Sequence, residues 1–222
     1  MSNLEQTFSS SELATLATNK LLKNTYILLS MTLLFSTVTA GGAMLLNIGS
    51  GTALILSLLS FGLLFWVHKV ADSAQGLIAV FAFTGCLGAA LGPMLNRYLA
   101  LENGSLLVMQ ALGGTASIFL ALSAYALTTR KNFSYMGGFL FTGLVLALVA
   151  GLANLFLQIP LLSLGLSAVI VLVMSGFILF DTSRIIHGGE TNYIRATVSL
   201  YLSIYNLFTS LLHLLGATSG DD

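Results

Sequence analysis

The feature that most constrains this sequence is its series of long apolar segments, which are separated by short stretches that carry nearly all of the charge. A helix needs roughly 20 apolar residues to cross the hydrocarbon core of a membrane, and the charges recur at about that interval. Only 7% of the residues are charged, whereas a soluble domain carries about 25%. So few charges cannot cover a water-facing surface. The sequence therefore predicts an all-α polytopic membrane protein embedded in a lipid bilayer.

Seven transmembrane spans are predicted. The uncharged stretch from Asn132 to Phe180 is too long for one helix, and Pro160 divides it because proline starts helices well and interrupts them badly. The approximate spans are 25–46, 52–67, 76–95, 105–128, 136–157, 161–180 and 196–215. The predicted organisation is a flexible N-terminal tail (1–24), a transmembrane domain (25–216) and a short C-terminal tail (217–222).

Lysine and arginine determine the predicted orientation, because cytoplasmic loops of membrane proteins are enriched in them. With the N-terminus in the cytoplasm, only Arg97 of the eight basic residues falls on the outer side. The cytoplasmic seven are Lys20, Lys23, Lys69, Arg130, Lys131, Arg184 and Arg195. The C-terminus is then expected outside, unless the last segment is re-entrant.

Several function classes are disfavoured. The net charge of +0 provides no surface for nucleic acid. Cys86 is the only cysteine, so no intramolecular disulfide is expected. The histidines, His68, His187 and His213, lack the spacing of a metal site. Neither a nucleophile elbow nor a phosphate-binding loop is present, so we expect no enzyme and no cofactor.

Small residues recur at four-residue intervals in two spans. Gly88 and Gly92 form such a pair in the third span, and Gly143, Ala147 and Gly151 continue the spacing in the fifth. This spacing lets helix backbones approach closely in lipid. Packing within the bundle accounts for it, and a dimer interface is the alternative.

The seventh span carries a polar stripe. Spacings of three and four residues place its members on one helical face. They are Ser199, Ser203, Asn206, Ser210 and His213, with the hydroxyls of Tyr201 and Tyr205 on neighbouring faces. Such a stripe is unfavourable against lipid and should face the bundle interior. It either forms hydrogen bonds between helices or lines a path or pocket.

Asp181 stands at the predicted end of the sixth span. An ionisable residue at a membrane boundary is a candidate functional site. Arg184 follows three residues later, so an ordinary ion pair at the helix end is the alternative interpretation.

Several segments resemble the Bax inhibitor-1 (transmembrane Bax inhibitor motif) family. They are FILFD at 177–181, NYIRA at 192–196 and SLYLSIYNLF at 199–208. HGGETNYIRA at 187–196, FAFTG at 81–85, LGP at 91–93 and LTTRK at 127–131 resemble its bacterial YccA-like branch in particular. The resemblance covers nearly all of the chain beyond the N-terminal tail.

This resemblance implies a fold in which six helices surround a central C-terminal helix, and it implies two activities. Family members are described as pH-sensitive calcium leak channels with facing aspartates on the sixth and seventh spans. The YccA-like branch is associated with the membrane-bound AAA protease FtsH, as substrate and modulator. Asp181 matches the first aspartate, but Ser203 stands at the second position. Two adjacent carboxylates can share a proton. A serine cannot ionise in that role, although it can donate a hydrogen bond to Asp181.

The first hypothesis is therefore an inner-membrane regulator that binds and inhibits FtsH, with its C-terminus in the periplasm. The tail of residues 1–24 would enter the protease while the packed bundle resists extraction. The alternative is a pH-sensitive calcium or cation leak channel with an altered gate, for which Asp181, Ser203 and Arg184 are the candidate gate or pH-responsive residues.

Overall fold

The computed structural model describes the backbone from Asn3 to Thr218 and the side chains from Thr15 to Thr218. This part of the chain is 88% helical and contains no strand. The helices are α1 (Asn3–Leu45), α2 (Ser50–Val70), α3 (Gln75–Ala90), α4 (Gly92–Leu99), α5 (Gly104–Thr129), α6 (Gly137–Leu157), α7 (Pro160–Ile186) and α8 (Tyr193–Thr218), with a 3-10 turn at Ser134–Met136 before α6.

Seven helical segments are long and apolar enough to cross a membrane, which confirms the predicted number of spans. α3 and α4 together form the third of these segments, from Gln75 to Leu99. Large apolar side chains on the outside of the bundle, such as Leu54 and Phe156, are exposed where lipid would surround them. The all-α membrane fold is therefore confirmed.

The first and last helices extend beyond the predicted bounds of their spans, since α1 begins at Asn3 and α8 ends at Thr218. α1 is one helix from Asn3, and its membrane-competent part begins at Thr15, ahead of the predicted start near residue 25. Leucine and alanine in this segment favour helix. The flexible character of residues 1–24 stays a prediction. Of the predicted C-terminal tail, residues 219–222 lie outside the described part of the chain.

The third span is broken, although the sequence predicted a single helix. Leu91 lies between α3 and α4, and Pro93 follows in the first turn of α4. Proline lacks the N–H that would continue the helical bonding pattern and clashes with the carbonyl four residues earlier. The helical hydrogen-bond pattern is therefore interrupted at Leu91.

The boundary between the fifth and sixth spans lies where Pro160 predicted it. α6 ends at Leu157, Gln158 adopts a left-handed conformation with φ of 51°, and Pro160 opens α7. Asn154 secures this tight connection, since its side chain accepts a hydrogen bond from Ile159 N at 3.0 Å and donates one to Ser163 Oγ at 2.6 Å.

α8 lies inside the bundle. It packs against α1, α2, α3, α5 and α7, and half of its most apolar part is buried, against 11% for α2 and for the α6 segment. This placement agrees with the central C-terminal helix that the family resemblance implies. It also explains why α8 tolerates polar residues, because few of its side chains meet lipid.

The glycine pair of the third span brings α1 against α3 and α4. A Cβ atom built on Gly88 would lie 2.7 Å from Ser36 Cα, and one on Gly92 would lie 2.7 Å from Ala43 Cβ. In α6, Gly143 faces Val173, whereas nothing lies within 4 Å of a Cβ on Gly151. The predicted close packing is confirmed for α3 and α4 and fails at Gly151.

Candidate functional site

Side chains from five helices line a cavity of about 550 Å³. It lies between α2, α3, α6, α7 and α8 and extends inward from Arg184, in the last turn of α7. Its walls are apolar over much of their area, with Phe61, Leu144 and Met174 among the contributors. Its polar lining comes from Ser57, Ser60, Asp181, Arg184, Ser199, Ser203, Tyr205 and Asn206. The cavity therefore gathers both candidate groups of the sequence analysis, Asp181 with Arg184 and part of the polar stripe.

Asp181 is an acidic side chain inside the bundle, only 7% exposed. The sequence placed it at the end of the sixth span, but α7 continues to Ile186, so Asp181 lies within the helix. The helix continues because Ser183 and Ile185 are buried against neighbouring segments rather than in contact with lipid or water. Among the described residues, no group forms a hydrogen bond or ion pair with the Asp181 carboxylate.

Arg184 is directed to the loop after α7. Its guanidinium donates to Gly189 O at 3.0 Å, lies 3.7 Å from the Glu190 carboxylate and stands over the Phe180 ring at 5.5 Å. Gly188, with φ of 73°, turns the chain back so that Gly189 and Glu190 meet this side chain. The alternative interpretation of Asp181 and Arg184 as an ion pair at the helix end is not supported, because Arg184 pairs with Glu190 instead.

The polar stripe of α8 divides between its two predicted roles. Ser199, Ser203 and Asn206 line the cavity. His213 lies farther along α8, where its Nδ1 is 2.8 Å from Ser167 Oγ of α7. The stripe thus lines a pocket in its first half, and His213 forms a hydrogen bond between helices in its second half.

The remaining stripe positions form fewer bonds than expected. Ser210 is buried without lining this cavity. Asn206 donates to Leu202 O of its own helix at 2.8 Å. Ser203 and Asp181 share the cavity, but in the described structure no hydrogen bond joins them. The hydrogen bond that a serine at position 203 can donate is therefore not formed here.

Two lining residues were missed by the sequence analysis. Ser57 and Ser60 of α2 face the cavity, and each hydroxyl donates to a carbonyl of its own helix, Ala53 O at 2.9 Å and Leu56 O at 2.8 Å. The sequence could have indicated these two residues, because two serines three residues apart lie on one face of an otherwise apolar span.

A second polar cluster, also missed, joins α1, α3 and α8 in the interior. Ser36 Oγ lies 2.5 Å from Tyr201 OH and donates to Thr84 O at 2.6 Å. Tyr201 OH is also 3.2 Å from Thr84 O. We call Ser36, Thr84 and Tyr201 the α1 clamp. The sequence placed the Tyr201 hydroxyl on a face next to the polar stripe, but nothing in it indicated these partners.

The loops at the Arg184 end are bonded to one another. Asn192 caps α8 by accepting from Ile194 N at 2.8 Å, and its amide donates to Asp72 at 2.7 Å. Asp72 also pairs with Arg195 at 2.5 Å. His187 Nε2 lies 3.1 Å from Arg130 O, which connects the α7–α8 loop to the segment after α5.

Arg97 lies at the opposite end of the bundle, where it donates to Ser50 Oγ at 2.6 Å. Its separation from the basic loops matches the charge division found in the sequence. Within the described residues, no three His, Cys, Asp or Glu side chains come together as a metal-binding group.

Comparison with known proteins identifies the family. The model of the family described as inhibitor of apoptosis-promoting Bax1 matches residues 18–220. The chain belongs to the Bax inhibitor-1 family. Within it, the chain is 55% identical over 207 residues to the Escherichia coli (strain K12) protein named modulator of FtsH protease YccA, covering 93% of this chain and 94% of that protein.

Other relatives within the Bax inhibitor-1 family agree. A protein of Escherichia coli O6:H1, with the same identity and coverage, is named inner membrane protein YccA. A Vibrio cholerae protein, 53% identical over 209 residues with 94% of each chain covered, is named an uncharacterized membrane protein. Together with the seven apolar helices, these relatives identify a multi-pass inner-membrane protein. The prediction that the chain is not an enzyme is confirmed by its family and by the relative named as a modulator of a protease.

Proposed function

We propose that this chain binds a membrane-bound AAA protease of the FtsH type and inhibits its degradation of other membrane proteins. The observation that carries the proposal is the 55% identity, over nearly the whole chain, to a protein named modulator of FtsH protease. In this proposal, residues 1–24 are the segment that the protease engages first, and the packed bundle behind them resists extraction.

In this proposal the N-terminus lies in the cytoplasm and the C-terminus in the periplasm. The support is the grouping of the basic loops, including Arg130 and Arg195, at the end opposite Arg97. A cysteine introduced at Ser134 in a Cys86→Ala background should react with a membrane-impermeant thiol reagent only after the cytoplasmic face is opened. Labelling in intact cells would show the opposite orientation, with position 134 on the periplasmic side.

The inhibition is tested with purified FtsH and a second membrane substrate in proteoliposomes, with and without this protein. We expect near-stoichiometric amounts to slow degradation of the second substrate and the two proteins to co-purify. A bundle of unrelated sequence with the same number of spans is the control for crowding of the bilayer. Unchanged degradation together with failure to co-purify would reject the proposal.

A calcium or cation leak is the second candidate, and the cavity around Asp181 favours it. This cavity combines one carboxylate with hydroxyl and amide oxygens from Ser199, Ser203 and Asn206. Calcium takes 6–8 oxygen ligands and often uses carboxylates. Because Ser203 replaces the second aspartate of the family pattern, any gate here depends on Asp181 alone.

Asp181→Asn is expected to lower calcium efflux from liposomes and to remove its dependence on pH. The amide keeps the size of the side chain but removes the group that changes charge. Asp72→Asn is the matched control, since Asp72 pairs with Arg195 at the bundle end, outside the cavity. Identical efflux from wild type and Asp181→Asn would exclude Asp181 as a gate, and efflux no higher than from empty liposomes would exclude the leak.

A further inference from the structure

The α1 clamp is a closed set of hydrogen bonds buried where three helices meet. Ser36, on α1, bonds both to Tyr201 on α8 and to the Thr84 carbonyl on α3. All three residues are buried. One hydroxyl donates to the other, and the second donates to the carbonyl, so no polar group of the clamp is left without a partner. Ser36 and Tyr201 also line a mostly apolar cavity of about 540 Å³, so few replacement partners lie nearby if α1 moves.

Close backbone packing surrounds the clamp. Gly88, one helical turn after Thr84, allows α3 to approach the backbone of Ser36, and Gly92 does the same at Ala43. Near the cytoplasmic end predicted for α1, Thr197 Oγ1 lies 3.3 Å from Thr25 O. α1 is therefore attached to α3, α4 and α8 along most of its transmembrane length, with the clamp near the middle.

α1 is also the transmembrane helix nearest to the end of the chain that the proposed function engages. A protease that pulls on the N-terminal tail applies force to α1 first, because the tail and α1 are one continuous helix in the structure. Withdrawing α1 must break the bonds of Ser36, whereas the contacts between α6 and α7 do not involve α1. The contacts of α1 are thus the first that extraction from the N-terminus must break.

We propose that the α1 clamp sets the rate at which this protein is extracted from its N-terminus. The inference rests on the proposed function and identifies the residues that delay the protease. Resistance to degradation then depends on one buried cluster, Ser36, Thr84 and Tyr201, rather than on the summed stability of seven helices.

The test measures ATP-dependent degradation of the full chain by FtsH in proteoliposomes. Tyr201→Phe keeps the packing of the ring and removes only its hydroxyl, and Ser36→Ala removes the central hydroxyl. Each should be degraded about three- to tenfold faster, the change expected from loss of one buried interhelical hydrogen bond. Ser30→Ala is the matched surface control, because the exposed Ser30 hydroxyl bonds only to Tyr26 O of its own helix.

A second control separates the clamp from general destabilisation. Ser163→Ala makes the same chemical change and removes an equally short bond, from Asn154 Nδ2 to Ser163 Oγ at 2.6 Å, between α6 and α7. It should lower thermal stability without changing the rate of degradation. Equal acceleration by Ser163→Ala and Ser36→Ala, or no acceleration by Tyr201→Phe, would overturn the inference.

Mechanical pulling on the N-terminus in a lipid bilayer measures the clamp without the protease. The force of the first extraction step should fall in Tyr201→Phe and stay unchanged in Ser163→Ala. A lowered force with a chain that FtsH neither binds nor degrades would reject the proposed function and keep the clamp. An unchanged force would reject the clamp, whatever the protease does.

Discussion

Removal of residues 2–14 is expected to stop degradation of this protein by FtsH while its transmembrane bundle stays folded. An energy-dependent protease that extracts membrane proteins must first grip a chain end, so the reach of that end decides whether extraction starts. Fully extended, residues 1–24 span at most about 80 Å, whereas residues 15–24 span about 35 Å. The measurement is the half-life of the truncated chain in proteoliposomes with ATP, compared with the full chain.

The boundary at residue 14 follows from the packing at the base of the tail. Thr15, Thr18 and neighbouring α1 residues line a cavity together with Arg130 and His187, near the ends of α5 and α7. A deletion that continues to Lys20 also removes part of this surface and one of the basic residues that orient the chain. The shorter deletion therefore shortens the tail and keeps this surface, and a thermal unfolding curve equal to that of the full chain confirms that the bundle is intact.

A Gly/Ser segment in place of residues 2–14 is the matched control. It restores length without the native sequence, so restored degradation shows that reach is the requirement, and continued resistance shows that the protease reads the sequence. Degradation of the truncated chain at the wild-type rate would reject the tail as the point of engagement. Inhibition of a second substrate by the truncated chain, measured in the same vesicles, shows whether the bundle also contacts the protease.

The transmembrane fold could be predicted from the sequence because the membrane imposes it through length and apolarity alone. The fifth and sixth spans illustrate this, since a charge-free stretch and one proline at position 160 were enough to place two helices. The break at Leu91 was missed because the apolar pattern continues through it. The end of α7 was placed too early because charge was taken as a boundary, although Asp181 is hidden inside the bundle.

The candidate site could be predicted only in part, since hydropathy does not specify which helices are neighbours. The spacing of Ser199, Ser203 and Asn206 correctly placed them on one inward face. Whether that face would meet a helix or a cavity depended on α2, whose Ser57 and Ser60 complete the lining. The α1 clamp was harder still to predict, because Ser36 and Tyr201 are 165 residues apart in the chain.

Gly88→Ala is expected to destabilise the bundle by about 1–3 kcal/mol, the range typical of overpacking a well-packed interior. The added methyl would lie 2.7 Å from Ser36 Cα. A backbone atom cannot rotate away as a side chain can, so α1 and α3 must separate. Separation also lengthens the bond from Ser36 to Thr84 O, so the loss of packing and the loss of the clamp occur together. Thermal unfolding in detergent micelles measures the effect.

Two other glycines provide a graded comparison for the same substitution. A methyl on Gly113, in α5, meets nothing within 4 Å, and Gly113→Ala should be neutral or slightly stabilising because alanine favours helix. A methyl on Gly85 lies 2.6 Å from Phe35 Cε1, but that ring is partly exposed on the lipid side and can turn away, so the cost should be small. If backbone contact between α1 and α3 holds the bundle together, Gly88→Ala should unfold at a far lower temperature than Gly85→Ala. Gly113→Ala should then unfold near the wild-type temperature. Equal unfolding temperatures for all three variants would instead show that α1 is held by its side chains alone.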